Sequence, residues 1–210
     1  KNAYTLPTSD GSANQVLTTD GSGAVTFADA GGSDPDLYRD NASGATTPTA
    51  SGTNAVAIGT NAQATNTNAV AITRNAVASG ISSFAVGNNA AATGTNAIAI
   101  GSNTDAAERS VAIGGAGAQA LTTNTTAIGS NSSSQPATIP SGGSGGAIAL
   151  GGSYASGTDS FAAAIANNTS TYGATGANSI AMGYLSKATG IGNINKTNIA
   201  PNSSEITAII

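Results

Sequence analysis

A short hydrophobic word repeats along the middle of the chain, with two large apolar residues separated by alanine. It occurs with small variations as NAVAIG at 54–59, NAVAIT at 68–73, SSFAVG at 82–87 and NAIAIG at 96–101. Its second large residue recurs in three steps of 14 and then in steps of 13 and 15, at Ile58, Ile72, Val86, Ile100, Ile113 and Ile128. A fixed short period indicates stacked units that contact only their neighbours. A unit as short as this predicts one turn of a coil.

Each turn is predicted to hold two short strands joined by two corners. The hydrophobic word is the first strand, and a weaker Asn-Ala-x-Ala word, as at 61–64, is the second. Glycine recurs at the corners, and we expect a backbone requirement there because glycine tolerates φ > 0. The predicted corner glycines are Gly52, Gly59, Gly80, Gly87, Gly94, Gly101, Gly114 and Gly129. Asparagines also recur in steps of 14, which predicts a ladder of stacked amides at Asn61, Asn75, Asn89 and Asn103.

The first strand of each turn is apolar on both faces. Side chains alternate along a strand, so Val56 and Ile58 point one way while Ala55 and Ala57 point the other way. A strand that is apolar on both faces must be covered on both. The opposite wall of the coil covers one face, and we expect a second chain to cover the other. Each buried aliphatic side chain contributes roughly 1.5 to 3 kcal/mol, so we expect association to be obligatory.

The segments outside the repeat have different patterns. The chain is predicted to have four parts: a β connector at 1–32, a linker at 33–49, the repeat at 50–190, and a C-terminal cap or link to further residues at 191–210. Asp-Gly turns beside alternating residues at 15–19 and 24–28 indicate short strands in the connector. The words are spaced more widely near 132–145 and 165–177, so we expect loop insertions there.

Composition and charge exclude most catalytic chemistry. The chain has no Cys and no His, which removes disulfides, thiolate nucleophiles, imidazole bases and the usual zinc and haem ligands. The net charge of −4 arises in the first 40 residues, so the repeat has no charge excess that would attract nucleic acid or an anionic membrane. No apolar run approaches the roughly 18 residues of a membrane helix. We expect a protein that is not an enzyme, has no cofactor or metal, and binds neither nucleic acid nor the membrane interior.

The words NAVAIG, SSFAVG, NAIAIG, RSVAIG and NSIAMG, with their ATG corners, resemble the YadA-like head repeat of trimeric autotransporter adhesins. The resemblance covers about 50–190 and implies a left-handed parallel β-roll, a β-solenoid with a sequence period of about 14, in a tight homotrimer. It also implies that the larger aliphatic positions form the trimer core: Val56, Ile58, Val70, Ile72, Phe84, Val86, Ile98, Ile100, Val111, Ile113, Ile128, Ile148, Leu150, Ile180 and Met182. Thr73, Thr126 and Ala163 depart from the pattern, which predicts looser turns there.

The segment LPTSDGSANQVLTTDGSGAVTF, at 6–27, is similar to segments of structural and tail-fibre proteins of marine tailed bacteriophages. The two resemblances favour a trimeric structural and adhesive fibre, a phage virion appendage or tail fibre that contacts the host surface. The alternative is the head of a bacterial trimeric autotransporter adhesin that binds extracellular matrix or cell surfaces. The implied partners are further copies of the chain, other fibre or virion proteins and a host cell-surface receptor. The implied location is extracellular, on a virion or on the bacterial outer surface.

Two groups of side chains are candidates for recognition. Tyr154 and Tyr172 lie in irregular parts of a chain with few aromatics, and exposed tyrosine is a favoured recognition residue; simple packing over the roll is the alternative. Arg74, Asp105, Glu108 and Arg109 lie on adjoining turns and either form a receptor contact or are solvated corner residues.

Other functions have weaker support in the sequence. Asp10, Asp20 and Asp29 recur near the N-terminus, but turn chemistry explains them without a calcium loop. The run SGGSGG at 141–146 lacks the lysine and helix of a phosphate loop and reads as a flexible corner. A row of threonines on one face could bind ice or a crystal surface, but Ile81 interrupts this row. A fibre depolymerase would need paired carboxylates on a groove.

Overall fold

The computed structural model describes residues 5–13, 15–29, 46–115, 117–132, 135–142, 145–163, 165 and 171–196. Contacts divide the chain into two units, Lys1–Arg39 and Asp40–Ile210. Most of the predicted linker at 33–49 lies outside the described residues, as does the stretch 197–210 of the predicted C-terminal segment.

The described residues form strands and no helix. The strands in chain order are β1 (Gln15–Thr19), β2 (Val25–Asp29), β3 (Thr49–Ala50), β4 (Val56–Ile58), β5 (Gln63–Ala64), β6 (Val70–Ile72), β7 (Val77–Ala78), β8 (Phe84–Val86), β9 (Ala91–Ala92), β10 (Ile98–Ile100), β11 (Asp105–Ala106), β12 (Val111–Ile113), β13 (Gln119–Ala120), β14 (Thr126–Ile128), β15 (Ser130–Ser132), β16 (Gln135–Pro136), β17 (Thr138–Ile139), β18 (Ile148–Leu150), β19 (Phe161–Ala163), β20 (Gly173–Ala174), β21 (Ile180–Met182), β22 (Lys187–Ala188) and β23 (Ile194–Lys196).

The N-terminal unit contains the predicted connector hairpin. Strands β1 and β2 pair antiparallel, with Gln15 opposite Asp29 and Thr19 opposite Val25. Asp20 closes the turn, because its Oδ1 accepts the backbone N–H groups of Ser22 at 2.7 Å and Ala24 at 3.2 Å. The carboxylate of Asp20 therefore stabilises a turn, as the Asp-Gly pattern predicts.

The second unit is a parallel β-solenoid of about ten turns. Ten strands form what we call the first wall, in the order β4, β6, β8, β10, β12, β14, β18, β19, β21 and β23. Seven strands form the second wall, in the order β3, β5, β7, β9, β11, β13 and β17. The register places equivalent positions directly above one another, as with Val56 on Val70 and Ile58 on Ile72. The predicted all-β roll, with a sequence period of about 14, is confirmed.

Alanine fills the interior of the roll. Alternate residues of each wall point inward, and the inward positions are occupied by fully buried alanines such as Ala71, Ala85 and Ala99 in the first wall and Ala78 and Ala92 in the second. Because most inward positions carry only a methyl group, the two walls can pack closely; the larger Ile139 occupies one inward position of the second wall. The two larger apolar residues of each hydrophobic word flank such an alanine and must therefore point outward.

The corner that follows each first-wall strand, the first corner, needs glycine for its backbone conformation. Its glycines all have positive φ: Gly59 at 110°, Gly87 at 139°, Gly101 at 125°, Gly114 at 153° and Gly129 at 88°. L-residues with a Cβ are strained in this region. The predicted reason for glycine is confirmed at this corner.

The second corner, which precedes each first-wall strand, needs glycine for a different reason. Gly52, Gly80 and Gly94 do not have positive φ, so the predicted reason is wrong for these three residues. A Cβ built on Gly80 would lie 1.9 Å from the carbonyl oxygen of Gly94 in the next turn, and one on Gly94 would lie 2.1 Å from the backbone nitrogen of Glu108. At Gly80 and Gly94 a Cβ would clash with the backbone of the next turn, which explains glycine there, whereas Asn66 carries a side chain at the equivalent position one turn before Gly80.

Asparagine supplies the left-handed residue that begins both words of a turn. Before the first wall, Asn54, Asn68 and Asn96 have φ of 58°, 56° and 57°. Before the second wall, four asparagines have φ of 55–57° and form the predicted ladder: Asn61, Asn75, Asn89 and Asn103. Each of its first three members donates from Nδ2 to Oδ1 of the next at 3.0 Å. The short amide side chain tolerates this conformation, and the ladder is confirmed.

The first predicted insertion, near 132–145, is divided between two corners. Thr138 follows Thr126 by 12 positions, whereas Gln63 follows Val56 by seven positions in a regular turn. These extra residues form a small antiparallel pair, β15 with β16, in which Ser130 lies opposite Pro136. Between them and the remaining extra residues lies β17, a regular second-wall strand that buries Ile139 completely. The segment is therefore not one bulge.

The second predicted insertion, near 165–177, precedes β20. Gly173 follows Phe161 by 12 positions. Ile180 follows Gly173 by seven positions, which is the spacing of a regular turn. Within the expected loop, Ile165 is fully buried and donates its backbone N–H to Ser153 Oγ at 3.3 Å. Residues 164 and 166–170 lie outside the described residues.

Thr73 is strained, because it occupies a first-corner position at φ 89° where other turns have glycine. We expect Thr73→Gly to raise the free energy of unfolding by about 1 kcal/mol, since relief of roughly 1 to 3 kcal/mol of strain exceeds the entropic cost of glycine. Chemical denaturation measures the change. Thr67→Gly, at a position without positive φ, is the control and is expected to lose about 0.5 to 1 kcal/mol. Equal losses in both variants would contradict the account.

Candidate interaction surface

The outward side chains of the first wall form two adjacent rows, which we call the outer seam. Row one consists of Val56, Val70, Phe84, Ile98, Val111, Thr126, Ile148, Phe161, Ile180 and Ile194. Row two consists of Ile58, Ile72, Val86, Ile100, Ile113, Ile128, Leu150, Ala163 and Met182. Every residue predicted for the trimer core lies in one of these rows.

The seam is open to solvent in a single chain. The most exposed of its predicted core residues are Val56 at 42%, Phe84 at 37%, Ile128 at 38%, Ile148 at 37% and Met182 at 41%. The other predicted core residues are half-buried, each covered by its neighbours in the stack. At about 4.8 Å per strand, ten strands make an apolar strip roughly 43 Å long. A continuous exposed apolar strip of this kind is typical of interaction surfaces.

The outward face of the second wall has a different character. Its successive residues include Gln63, Val77, Ala91, Asp105 and Gln119, a mixture of polar and small apolar side chains. Polar side chains on this face can remain hydrated, so it does not require a partner. The contrast assigns the apolar contact surface to the first wall alone.

Asp105 is the charged residue on this second-wall face with a shifted pKa. Burial raises the pKa of Asp105, and a hydrogen bond with the Gln119 side chain acts in the opposite direction. Desolvation dominates because the carboxylate lies half-buried among its neighbours in the wall. The folded roll therefore favours the protonated form of Asp105 more than the unfolded chain does.

We expect Asp105→Asn to raise the Tm at pH 7. A raised pKa means that the folded state binds the proton more tightly, so the wild-type roll gains stability as pH falls through that pKa and loses it as pH rises. The asparagine variant has no such titration. The Tm difference between variant and wild type should therefore shrink on acidification, as thermal unfolding at a series of pH values would show. A difference that stays constant with pH would contradict this assignment.

The structure does not bring the predicted charged patch together. Glu108 and Arg109 form an exposed ion pair at 3.0 Å, and Arg109 Nε donates to Asn124 Oδ1 at 2.8 Å. Arg74 lies at a first corner, whereas Glu108 and Arg109 lie at a second corner, and Asp105 lies in the second wall. Glu108 and Arg109 are solvated corner residues, and an exposed pair of this kind contributes little stability.

The two tyrosines singled out in the sequence are both partly buried, and Tyr172 follows the packing alternative. Tyr172 is half-buried and packs against the alanine core, and Tyr154 is also half-buried. Tyr184, which sequence reasoning did not single out, is 62% exposed. It directly follows the first-corner Gly183, the position that Thr60 and Arg74 occupy in other turns. The repeat register therefore contained the signal that would have identified it.

The part of the chain that the structure describes contains no cluster of three or more potential metal-ligating side chains. Within the same residues, no helix has both the length and the apolar character needed to cross a membrane. Residues 143 and 144 of the SGGSGG segment lie outside the described residues, and Ser141 and Gly142 are exposed. Among the described residues, the outer seam is the extended exposed apolar feature of the roll.

The geometry defines the class of the second unit, a parallel β-roll with an outward apolar seam. The sequence model of the YadA head domain repeat matches residues 50–72, 78–104, 106–132 and 174–192. These segments are similar to a repeat of adhesins, not of enzymes, and such a repeat indicates a surface-exposed protein. The match includes no residue of the N-terminal segment at 6–27. A search of curated proteins finds no match.

Proposed function

We propose that the chain is part of a homotrimeric, non-enzymatic adhesive fibre, the head of a bacterial surface adhesin that binds extracellular matrix or cell surfaces. The outer seam is the observation that carries the proposal, because its apolar rows extend through the whole roll and lack a cover within one chain. The similarity to the YadA head domain repeat supports both adhesion and association into three copies. The proposed partners are two further copies of the chain and a surface receptor.

Three copies around a common axis would cover all three seams at once. The seam residues are already about half covered by their own chain, so each gains on the order of 1 kcal/mol from burial by a partner. Fifteen predicted core residues per chain then contribute on the order of 10 kcal/mol per copy before the entropy of association is subtracted. This gain favours a permanent assembly.

With the bacterial adhesin as the alternative, the function that the sequence favoured was a phage tail fibre. Its support is the sequence of the N-terminal segment, whereas the repeat match lies entirely in the roll. We therefore place the chain on the bacterial outer surface. The three-fold assembly would present each corner and loop three times, so that weak contacts to a surface gain strength through avidity.

Adhesion of protein-coated beads tests the proposal. Beads that carry the chain are expected to adhere to surfaces coated with collagen, fibronectin or laminin, or to cultured epithelial cells, above the level of uncoated beads. A trimeric preparation that adheres to none of these surfaces would contradict the adhesive function.

A redesigned corner tests whether the β15–β16 hairpin contacts the receptor. Deleting residues 131–135 and replacing Pro136 by Asn would restore the regular Ser-Asn-Ala-x corner, as in Thr60 to Gln63. We expect the variant to keep the fold of the parent and the number of copies in its assembly, because five extra residues are removed without changing either wall. Its adhesion should fall severalfold if the hairpin contacts the receptor. Unchanged adhesion would exclude the hairpin.

A further inference from the structure

On two strands of the outer seam, a large residue in row one occurs with a small residue in row two. In row two, every residue has four non-hydrogen side-chain atoms except Val86 and Ala163, which are smaller. These two smaller residues lie on the same strands as Phe84 and Phe161, the phenylalanines of row one. At each phenylalanine of row one, the residue two positions later is therefore smaller than the usual four-atom side chain, by one carbon at Val86 and by three at Ala163.

The match is closest in β19. The seven side-chain carbons of Phe161 and the one of Ala163 equal in number the four and four of Ile98 and Ile100 in β10. Adjacent members of row two are larger, since Ala163 pairs with Leu150 on one side and Met182 on the other. The small residue is thus specific to the turn that carries the phenylalanine.

A surface that faces water does not limit the size of its side chains. In one chain the seam is open on its outer side, with Phe84 37% exposed, so a large residue can extend into solvent without a compensating change. Packed interiors do impose such a limit, because overfilling and voids both destabilise them. Matched sizes in the two rows indicate that both rows face one enclosed space.

We infer that the Phe161–Ala163 pair, with the larger Phe84–Val86 pair as a second mark, fixes the register in which copies of the chain associate. The inference rests on the proposed self-association and adds how the copies are aligned. In a ring of copies, a different patch of each copy contacts the next, so row one of one copy meets row two of its neighbour. The ring of Phe161 then occupies the space above the methyl group of Ala163 on the next copy.

A repeat this regular needs a device that fixes the alignment. Because successive words are nearly identical, sliding one copy by one turn would replace most contacts with equivalent ones. The two phenylalanine turns remove this equivalence. A slip of one turn would place Phe161 against Leu150 or Met182 and leave a void at Ala163. Only the in-register arrangement avoids both defects.

A double-mutant cycle tests the inference. We expect Ala163→Ile to overfill its layer and Phe161→Ile to leave a void, with each change lowering the Tm by roughly 5 to 10 °C. The double variant recreates the pair found at Ile98 and Ile100, and its Tm should return to within about 2 °C of wild type. The midpoint for trimer dissociation on dilution, measured by sedimentation, should show the same coupling.

The reciprocal change in β10 is the matched control. Ile98→Phe alone should weaken the assembly, and Ile98→Phe combined with Ile100→Ala should restore it, because the pair then reproduces β19. Additive effects of the single changes, in an assembly that remains trimeric, would overturn the inference and leave the proposed function intact. Coupling in Tm without coupling in dissociation would place the contact within one chain and also overturn it. A wild-type chain that stays monomeric would overturn both proposals.

Discussion

Replacing Ile100 by Asp is expected to abolish assembly. Ile100 lies at the middle of row two, paired with Val86 and Ile113, and its side chain is half-buried even in one chain. In the proposed trimer the change would place three carboxylates at one level of a dry centre, at a cost of several kcal/mol per copy. We expect a monomer by sedimentation, whereas Ile100→Val should keep the assembly and lose about 0.5 to 1.5 kcal/mol.

The same charge on the other wall provides the matched control. Val77 points outward from β7 between Gln63 and Ala91, on the face of mixed polarity. Val77→Asp should leave the assembly state unchanged, because that face remains hydrated. If Val77→Asp disrupted assembly and Ile100→Asp did not, the contact surface would lie on the second wall and the assignment of the seam would be wrong.

Replacing Gly80 by Ala is expected to cause the largest loss of stability within the roll. The new Cβ would lie 1.9 Å from the carbonyl oxygen and 2.2 Å from the carbonyl carbon of Gly94. Both are backbone atoms of the next turn, so they cannot move without separating two stacked strands. We expect a loss of at least about 3 kcal/mol, which corresponds to a fall in Tm on the order of 10 °C.

Gly190 is the matched control for this substitution, since it occupies the same corner position at the last described turn. Among the described residues, the nearest atoms to a Cβ on Gly190 would be those of Asn193 at 3.8 Å, an ordinary contact, and Gly190 does not have positive φ. Gly190→Ala should change the stability by less than about 1 kcal/mol, with a slight gain through the unfolded state. Circular dichroism during heating compares the two variants. Equal effects would mean that stacking does not determine the second corner.

The period of the hydrophobic words was sufficient to predict the roll. Strands in a stack have a fixed spacing, so a recurrence in equal steps at Ile58, Ile72 and Val86 leaves few alternatives to one turn per word. The asparagine ladder followed from the same period. Alternation alone did not decide which face of the first strand points inward. The narrow interior decides it, because the small side chains of Ala71 and Ala85, and not the larger side chains of the same strands, fill the space between the walls.

Several features required the coordinates. Gly80 and Gly59 look equivalent in the sequence, yet one is needed for close stacking and the other for positive φ. Ile139 was assigned to a loop because the hydrophobic words are spaced more widely there, although Ala137 and Ile139 repeat the Ala-x-apolar spacing of the second strand. Ile165 carries no repeat signal, since an insertion directs it into the core.

The mass of the wild-type chain in solution is the most direct test of the claim that other copies of the chain cover the outer seam. Sedimentation equilibrium over a hundredfold range of protein concentration should give three times the mass of one chain throughout, without a monomer fraction. A folded species with the mass of a single chain, stable across that range, would contradict the account, because the seam would then remain in contact with water.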